Sequence, residues 1–533
     1  MENNNLRIGI LADDKFNYQF IRELLIWAEK QNSVDISHLF IHSPKKNSVK
    51  IDLSLFKKIT FFFISLIEKF CLIFFKKYQY YLNKSDVSNY FSKIVILNGS
   101  YSKSNIFLDF GTDDLKKIKE EKIDLLIRSG SGILRGGILN CCKFGVISFH
   151  HGDNTKYRGS PPGFWEVYYK EDQTGFVLQQ LNNTLDGGKV VERGEFKTQF
   201  FYLLNQAFIF KKSLFYLKRA LVNIQTQNEI IFKDFKPISK KIFKIPSLYC
   251  QFIYISKLFY RLIYKLINQK IFRKNLIWKI AYNFENSKDL SKSKKINNHV
   301  NCFLADPFIY KADNKNYLFA EEYDFKKKKG HIVCFSEENK EFTNKQVVLN
   351  ELFHLSFPYL FEFENKTYMC PDTSSNNDIR LYECKSFPNQ WELKKILINN
   401  IKSADTMIFK LNSKWWLFTN EDKSGLEDYN SELSIYYSED GPISENWIPH
   451  KQNPVITNSL NGRNAGLIRK GEKFFRVAQA HSNDQYGKYI NINEIIILNE
   501  KNYIEKKLEE VKISKIGNHH LSSNDNVVAF DYL

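Results

Sequence analysis

The sequence predicts two kinds of fold in one chain: an α/β domain with a parallel sheet, followed by an all-β domain built as a five-bladed propeller. The first prediction rests on strand-like and helix-like segments that alternate over the first 200 residues. The second rests on an internal repeat of roughly 50 residues in the C-terminal half, a period typical of propeller blades. A chain of 533 residues also exceeds what one hydrophobic core normally serves.

The α/β prediction follows from the order of the apolar segments. Residues 6–11 read as a strand and 14–30 as a helix, because the apolar residues of the second segment recur every three or four positions. A charged helix face, DDLKKIKEEK, separates two later strand candidates. The strand candidates after the first are 94–97, 124–130 and 145–150. Ligands of such sheets bind beyond the carboxyl ends of the strands, so the strand that ends at His150 should deliver its last residues to a site.

The repeat begins at Asp306, Phe357, Asp405 and Asn464, with spacings of 51, 48 and 59 residues. Each copy reads as a strand, a polar turn and an aromatic-rich strand. We expect the segment 517–533 to begin a fifth blade, completed by strands from 276–300. The predicted organisation is therefore an α/β domain at 1–200, a helical connector rich in basic and aromatic residues at 201–275, and the propeller at 276–533.

Composition narrows the class of partner without choosing one. The formal net charge of +18 favours an anionic ligand such as a nucleotide sugar, a polyglutamylated cofactor, nucleic acid or lipid, although an AT-rich genome would produce the same lysine excess. The eight cysteines form no CxxC pair, which fits a reducing compartment, and no metal site is predicted. The polar residues 1–5 lead directly into a strand, so we expect no secretory signal and a cytoplasmic protein, with membrane association left open.

Two segments are candidates for membrane contact. Residues 59–75 are apolar, but Glu68 and Lys69 make a membrane-spanning helix costly, so a buried or interfacial helix is the favoured interpretation. Residues 242–284 interleave aromatic residues with Lys and Arg at helical spacing. That segment either docks peripherally on an anionic membrane or packs between the two domains.

The segment from Gly145 reads GVISFHHGDNTKYRGSPPGFWEVYYKEDQTGFVLQQLNNTLDGGKVV, and it resembles the formyltransferases that use 10-formyltetrahydrofolate. The resemblance covers roughly residues 1–200. The matching positions are His150, Tyr157-Arg158-Gly159, Pro162, Trp165, Thr174-Gly175 and Asp186-Gly187-Gly188.

The resemblance implies a site and a formyl donor, 10-formyltetrahydrofolate. His150 is expected to polarise the formyl carbonyl, and Asp186 to set the charge of the imidazole and relay a proton, with Ser148 as the third catalytic position. The residues implied for the cofactor are Arg128, Ser129, Gly130, Gly187 and Gly188. The residues implied for the substrate are His151, Asn154, Arg158 and Trp165.

The sequence departs from the family pattern next to the histidine. Ser148 replaces the Asn that the family has two residues before it, and Gly152-Asp153-Asn154-Thr155 replaces its usual Ser-Leu-Leu-Pro. Either Asn154 or His151 replaces the missing amide, or the reaction or acceptor has changed.

The propeller prediction also places polar residues around a central channel, because corresponding positions of each blade converge there. The predicted channel residues are Asp306, Glu322, His354, Asp372, Asp405, Arg463 and Gln479. The motifs ADPF, FHLSFPY, YMCPDT and NPV with RNAG resemble the N-terminal domain of plant glucosamine inositolphosphorylceramide transferases, which looks like the five-bladed propellers of certain glycoside hydrolases. Should hydrolysis occur, the expected pair is Asp306 and Asp372.

These predictions lead to one main hypothesis and two rivals. The main one is formyl transfer to an amino group of an amino sugar, nucleotide-linked or part of a glycan precursor, with carbohydrate bound by the propeller. In the first rival, the propeller is a glycosyl hydrolase or transferase that carries a degenerate formyltransferase domain. In the second, the protein binds carbohydrate without catalysis. Nucleic acid is not expected as a partner, and the sequence does not indicate an oligomeric state.

Overall fold

The computed structural model describes residues 5–42, 53–102, 106–234, 236–267, 277–483 and 485–533. The chain divides into two compact units, Met1–Ile271 and Phe272–Leu533, called unit 1 and unit 2 below. Most of the segment expected to be a connector, 201–275, falls within unit 1. Residues 268–276 of the predicted amphipathic segment 242–284 lie outside the described residues.

Unit 1 is built on a seven-stranded sheet. In chain order its strands are β1 Leu6–Ala12, β2 Val34–His42, β3 Lys93–Leu97, β4 Leu125–Ser129, β5 Val146–His150, β6 Gln173–Gln180 and β7 Lys189–Lys197. Across the sheet the order is β7-β6-β5-β4-β1-β2-β3. Strands β1 to β5 are parallel, whereas β6 and β7 extend the sheet antiparallel beside β5. The predicted parallel α/β sheet is confirmed.

Burial explains which strands the sequence revealed. Strand β1 is almost entirely buried, as expected for a parallel strand covered on both faces, and it reads as a continuous apolar segment. Strand β2 was not predicted, because Asp35, Ser37 and His38 interrupt its apolar pattern. Its paired neighbours on both sides nevertheless hold it inside the sheet.

Seven α-helices accompany this sheet in the described ranges of unit 1. They are α1 Gln19–Ala28, α2 Leu53–Cys71, α3 Lys76–Leu82, α4 Thr112–Glu120, α5 Phe164–Tyr169, α6 Tyr202–Gln227 and α7 Leu248–Leu266. Helix α6 is buried along most of its length and contacts β6 and β7. In the described ranges, no helix combines the length and the apolar character needed to cross a membrane.

Glu68 joins three of these helices from a fully buried position on α2. Its Oε2 accepts the N–H of Leu203 at the start of α6 at 2.8 Å, and its Oε1 accepts the hydroxyl of Tyr254 on α7. Burial raises the pKa of Glu68 to about 7, and these two hydrogen bonds oppose that shift only in part. The acid that interrupts the apolar segment 59–75 therefore faces the protein interior.

In its described residues, 277–483 and 485–533, unit 2 consists of five antiparallel sheets. The first contains Cys302–Ala312, Lys315–Asp324, Lys329–Glu338 and Glu341–Leu349. The second contains Ser356–Phe363, Lys366–Asp372, Asp378–Ser386 and Gln390–Asn399. The third contains Ser403–Leu411, Lys414–Glu421, Glu432–Ser438, Ile448–Pro449 and Ile456–Thr457. The fourth contains Arg463–Lys470, Lys473–Ala480, Tyr489–Leu498 and Tyr503–Val511.

The fifth sheet combines distant parts of the chain. Its strands are Lys294–Ile296, Lys279–Asn283, Val528–Tyr532 and Leu521–Ser523, in that order. Lys279–Asn283 pairs antiparallel with Val528–Tyr532, which confirms the predicted pairing of the C-terminal segment with strands between 276 and 300.

The first strand of each of the first four sheets and the Leu521–Ser523 strand contact one another in cyclic order. We call these five the inner strands. Three of them carry a register shift at a residue with left-handed backbone, with φ of 50° at Asp306, 46° at Phe357 and 53° at Asp405. Such β-bulges redirect a side chain locally, and here they recur at corresponding positions.

Replacing Glu68 by Gln should reduce the pH dependence of stability. The pKa of Glu68 in the folded protein, about 7, lies above the ordinary value of 4.5. Its contribution to stability is therefore complete below about pH 4.5 and is lost as the pH rises through about 7, at up to about 1.4 kcal/mol per pH unit. Gln keeps a hydrogen-bonding side chain but cannot ionise.

Denaturant titrations between about pH 5 and pH 8 measure this difference. The exposed Glu120→Gln variant on α4 is the matched control and should follow the wild-type curve. Parallel curves for wild type and Glu68→Gln would contradict the assignment.

Candidate functional sites

His150 and Asp186 lie together at the carboxyl end of β5. Nδ1 of His150 is 3.4 Å from Oδ1 of Asp186. Asp186 lies in the connection between β6 and β7, where its left-handed backbone, with a φ of 50°, turns the chain. Its Oδ2 accepts the N–H of Gly159 at 2.9 Å. The carboxylate is thus held between an imidazole and a backbone amide.

The pair stabilises its own charges. Burial by itself lowers the pKa of His150, but the hydrogen bond and the charge of Asp186 outweigh it and leave that pKa above its usual value. Burial raises the pKa of Asp186, yet His150 and the amide of Gly159 bring it below the usual range. The arrangement therefore favours an imidazolium beside an ionised carboxylate.

The other nitrogen of His150 faces the backbone. Nε2 lies 2.7 Å from the carbonyl oxygen of Tyr157. The cavity beside the ring has a volume of about 10 Å³, close to the space of a single water molecule, and Trp165 and Phe243 contribute to its lining. This cavity is too small for a pterin ring.

Glu166 on α5 lines the same cavity and was not identified from the sequence. Its side chain is only 2% exposed, and burial raises its pKa to about 7. Among the described residues, no hydrogen-bond partner is found for its Oε1. The available signal was a lone acid within the aromatic segment FWEVYY. Glu166 adds a second carboxyl group on the Nε2 side of His150.

Arg158 and Asn154, expected to bind substrate, hold the backbone around Asp186. The guanidinium of Arg158 donates to the carbonyls of Ser239, at 2.7 Å, and Leu185. Nδ2 of Asn154 donates to the carbonyl of Asp186 at 3.0 Å. In this structure both side chains therefore support the turn that carries the carboxylate.

Gly187 and Gly188, expected to contact the cofactor, follow Asp186 in this turn. The N–H of Gly188 donates to Oε1 of Gln179 at 2.9 Å. A Cβ at position 188 would lie 2.2 Å from the carbonyl oxygen of Gln180, so a larger residue would push the turn away from β6. The glycine permits the close approach on which the position of Asp186 depends.

His151 and His150 point to opposite faces of the sheet, because successive residues of a strand alternate. Nε2 of His151 lies 3.1 Å from Oγ of Ser213, and its ring stacks on Phe149. Burial lowers its pKa to about 3, so the ring is neutral. His151 packs against α6 rather than beside Asp186.

Ser148 and Trp165 complete the residues expected here. Ser148 shares the His150 face of β5 by the same alternation, and its Oγ lies 3.4 Å from the carbonyl oxygen of Phe149. Trp165 is buried and packs against Phe243 and Tyr169. Trp165 is thus part of the aromatic core next to the His150 cavity.

Arg128, Ser129 and Gly130 lie at the end of β4. Ser129 and Gly130 line a cavity of about 270 Å³, and its other lining residues are Asp13, Asp14, Phe16, Asn17, Tyr18, Lys84 and Ser131. Arg128 is buried beneath it and donates to His42 at 2.7 Å and to Asp13 at 3.1 Å. Burial and the charge of Arg128 lower the pKa of His42 to about 4, so the imidazole accepts as a neutral ring. Arg128 thereby shapes the cavity without lining it.

Unit 2 contains a second group of titratable residues. Asp306 and Glu321 of the first sheet, Asp372 of the second and Asp405 of the third are all buried, and we call them the central acidic cluster. Burial and then repulsion from the other three acids raise the pKa of Glu321 well above its usual value. Burial likewise raises the pKa of Asp306 to about 7 and that of Asp372 to about 6.

Arg463 and Gln479 bring donors to this cluster from the fourth sheet. Nε of Arg463 lies 2.6 Å from Oδ2 of Asp405, and Nε2 of Gln479 donates to the same oxygen at 3.2 Å. Burial lowers the pKa of Arg463, but Asp405 and the neighbouring acids raise it further, so the guanidinium stays charged. The guanidinium of Arg463 therefore offsets part of the negative charge of the cluster, and it does so most directly at Asp405.

Of the two other residues expected in the channel, Glu322 lies away from the acidic cluster, whereas His354 lies beside it. Glu322 lies on the opposite face of its strand from Glu321 and contacts His331 at 3.2 Å and Lys345 at 2.6 Å. Burial opposes these partners, but they lower the pKa of Glu322 to about 2. Nε2 of His354 lies 3.6 Å from Glu321. Glu321 rather than Glu322 therefore belongs to the cluster.

His519 and Asp531 of unit 2 also reach the cluster, and sequence reasoning missed them. Nε2 of His519 is 3.6 Å from Oδ1 of Asp306, and its Nδ1 is 2.6 Å from Oδ2 of Asp531. The available signal was the histidine pair in GNHH, within the expected fifth blade.

Asp306, His519 and Asp531 each offer one ligand atom within 4.8 Å of the others, a spacing that a metal ion could use. Asp531, however, already accepts the backbone N–H groups of His519, His520 and Asp306. A cation would have to displace these hydrogen bonds, so the donor set suits an internal support better than a metal site.

Comparison with known proteins separates the two halves of the chain. A family model described as glucosamine inositolphosphorylceramide transferase 1, N-terminal, matches residues 273–523. The glucosamine inositolphosphorylceramide transferase 1 of Oryza sativa subsp. japonica is 34% identical over 209 residues, which are 38% of this chain and 27% of that protein. The chain thus matches about a quarter of the length of that relative.

A formyltransferase is also similar to part of the chain. The methionyl-tRNA formyltransferase of Staphylococcus aureus (strain JH1) is 26% identical over 90 residues, 17% of this chain and 29% of that enzyme. Among solved structures, the family 117 glycoside hydrolase Zg3597 of Zobellia galactanivorans aligns with 12% identity and a TM-score of 0.33, covering 48% of this chain and 90% of that one.

Substitution of the two adjacent glutamates should change stability in opposite directions. The raised pKa of Glu321 means that its contribution is complete below about pH 4.5 and is lost as the pH rises, so Glu321→Gln should gain stability relative to wild type between about pH 5 and pH 8. Glu322→Gln removes an ion-paired acid with a lowered pKa and should lose about 1–3 kcal/mol near neutral pH.

Tryptophan fluorescence in denaturant is a suitable measurement, because five of the seven tryptophans lie in unit 2. Each variant is the control for the other, since the two positions share a strand. Equal losses in both variants at every pH would overturn the assignment of Glu321 to the acidic cluster.

Proposed function

We propose that unit 1 transfers a formyl group from 10-formyltetrahydrofolate to the amino group of an amino sugar, either nucleotide-linked or part of a glycan precursor. The observation that carries this proposal is the contact of His150 with Asp186, 3.4 Å apart at the carboxyl end of a strand in a parallel sheet. The similarity of part of the chain to a methionyl-tRNA formyltransferase supports the same reaction class.

The charges of the pair suit acyl transfer. An amine that attacks a formyl carbon places negative charge on the carbonyl oxygen, and a positively charged His150 can donate a hydrogen bond to that oxygen. Asp186 keeps the imidazole charged and oriented through Nδ1. Glu166, with a pKa of about 7, is the group we assign to accept the proton that the attacking amine releases. The bond between the formyl carbon and N10 of the folate then breaks, and Glu166 returns the proton to N10, so that tetrahydrofolate leaves.

The charged groups at His150 suit 10-formyltetrahydrofolate as the donor, but the cavity beside His150 is too small to hold it in this structure. The carbonyl oxygen of Tyr157 occupies the position on Nε2 that a formyl oxygen needs. We infer that the segment 157–163 moves away from His150 when the donor binds. The 270 Å³ cavity that Ser129 and Gly130 line offers a larger volume, and we assign it to the donor because these two residues are expected to contact the cofactor.

A formyl-transfer assay tests this proposal. The full chain is incubated with 10-formyltetrahydrofolate and a panel of amino-sugar nucleotides, and tetrahydrofolate release and product mass are measured. His150→Ala and Asp186→Asn should each lower the rate by about 10²–10⁴-fold, because both remove stabilisation of charge in the transition state.

His299→Ala, at an exposed histidine of unit 2, is the matched control and should keep the wild-type rate. Absence of tetrahydrofolate release with every acceptor, or an unchanged rate in His150→Ala, would exclude formyl transfer at this site.

We further propose that unit 2 is a five-bladed propeller that binds carbohydrate at the central acidic cluster. The cyclic contacts of the inner strands support the propeller arrangement. Carboxylates beside a guanidinium supply the hydrogen bonds that sugar hydroxyls need. The match of residues 273–523 to a sugar transferase family region supports a carbohydrate ligand.

The cluster also favours a second candidate activity, glycoside cleavage. That chemistry pairs a protonated carboxyl group with an ionised one, and a raised pKa is what keeps such an acid protonated near neutral pH. Glu321, Asp306 and Asp372 all have raised pKa values, and Asp306 and Asp372 are the pair expected from the sequence. Carbohydrate binding is the primary proposal, and the experiment on the same variants also detects glycoside cleavage.

Glycan binding to the full chain should depend on Asp306 and Asp372. Asp306→Asn and Asp372→Asn should each weaken the affinity for a glycan that the wild type binds by about tenfold or more, as expected for hydrogen bonds to charged groups. Calorimetry measures the affinity, and release of reducing sugar reports cleavage. Glu362→Gln, an exposed acid on the second sheet, should bind as the wild type does. Unchanged affinity in both aspartate variants would remove the cluster as the binding site.

A further inference from the structure

Helices α2 and α7 of unit 1 expose their apolar side chains. In the described part of the chain, 19 of the 41 exposed large apolar side chains belong to residues 55–75 and 248–267. We call this surface the apolar helix face. We propose that it docks on the surface of an anionic lipid bilayer.

Helix α2 turns the polar side chain of Glu68 towards the protein and many apolar side chains towards solvent. Ile64 and Glu68 of α2, together with Leu72 in the 3₁₀ turn Leu72–Phe75 that continues this segment, are buried at intervals of four residues and form the inner stripe. The outward side chains include Phe70, 68% exposed, and Phe74, 81% exposed. The others exposed on this segment are Leu55, Phe56, Ile59, Phe62, Phe63, Leu66, Ile67, Ile73 and Phe75. A soluble amphipathic helix normally shows the opposite arrangement.

Helix α7 repeats this arrangement. Gln251, Tyr254 and Leu258 are buried, whereas Tyr249 and Phe252 are more than 70% exposed. The remaining exposed apolar residues of this helix segment are Leu248, Phe259, Tyr260, Ile263, Tyr264 and Ile267. Tyrosine and phenylalanine on one helix face are typical of elements that lie at the boundary between headgroups and acyl chains.

The two helices form one surface because they are joined on their inner sides. Nε2 of Gln251 donates to the carbonyl of Lys57 at 2.8 Å, and Tyr254 donates to Glu68. Two cations of α7 also point inward, since Lys257 donates to the carbonyl of Tyr168 and Arg261 to that of Phe200. These polar groups of the helix pair therefore bind the protein, and most of the outer surface is left to apolar side chains.

The exposed charges on the two helix segments have one sign. Residues 53–82 contain a single acid, the buried Glu68, and residues 239–267 contain none. Exposed lysines border the apolar side chains, at positions 58, 69, 76 and 77. A surface with lysines at its edge and without exposed carboxylates complements anionic headgroups.

These features favour a bilayer over other occupants. The buried Glu68 ties α2 to α6 and α7, so the helix lies along the protein surface as an interfacial element. Each helix has 19 residues and is about 28 Å long, which gives an extended surface for insertion of aromatic rings. A symmetric contact between two copies would bring their lysines together, which like charges disfavour.

Vesicle flotation of the full chain tests the proposal. Wild type should float with phosphatidylcholine vesicles that contain about one third phosphatidylglycerol, and markedly less with phosphatidylcholine alone. The double variant Phe63→Asp with Phe252→Asp should lower partitioning by about tenfold or more, because each change puts a charge on the inserting surface. Lys58→Glu with Lys69→Glu should selectively weaken binding to the anionic vesicles.

Matched controls separate this effect from misfolding and from self-association. Ile504→Asp with Leu508→Asp, at exposed positions of unit 2, should float as the wild type does. Circular dichroism and size-exclusion chromatography check that every variant is folded. Wild type that stays unbound, equal binding to neutral and anionic vesicles, or a dimer that the Phe63 and Phe252 changes convert to monomer would each overturn the proposal.

Discussion

A carboxylate removed from water must find donors or give up its charge, and this constraint organises both units. In unit 1, Glu68 is held by an amide and a phenol, and Asp186 by an imidazole and an amide. In unit 2, Asp531 accepts three backbone amides. Donors at these acids come from different elements of the chain, so satisfying one carboxylate fixes several elements at once.

The same constraint separates supporting acids from reactive ones. Asp531 has its donors in place, and its pKa lies below the usual value because His519 and backbone amides outweigh burial. Glu321 and Glu166 are equally buried, but neither is matched by enough donors, and the pKa of each is raised. Incomplete compensation of buried charge is costly to stability. Glu68 shares the raised pKa, so such a shift marks a candidate functional site only where a histidine or other carboxyl groups lie beside the acid, as they do at Glu321 and Glu166.

Much of the fold and of the candidate site in unit 1 could be predicted from patterns of neighbouring residues in the sequence. Apolar periodicity indicated β1, β4 and β5, and motif spacing brought His150 and Asp186 into one hypothesis. The sequence did not show which residue of an adjacent identical pair belongs to the site, and the alternation of side chains along a strand decides it. Adjacent identical residues, His150 with His151 and Glu321 with Glu322, face opposite sides, so one of each pair joins the site and the other packs elsewhere.

What sequence reasoning missed depends on contacts between distant segments. His519 acquires its role only when the fifth sheet brings it beside Asp306, more than 200 positions earlier. Arg158 reads as an anion-binding residue until its guanidinium is seen on the carbonyls of Ser239 and Leu185. Burial of Glu68 required the start of α6. None of these contacts has a local signature.

The fifth sheet has a consequence for how the protein is made. Lys279–Asn283 leaves the ribosome early, yet its antiparallel neighbour Val528–Tyr532 follows about 250 residues later. Until then, one edge of the early strand lacks its native partner, an exposed edge that invites wrong pairing. Unit 1 ends at residue 271 and can assemble during translation, whereas the fifth sheet of unit 2 is complete only after Val528–Tyr532 has been made.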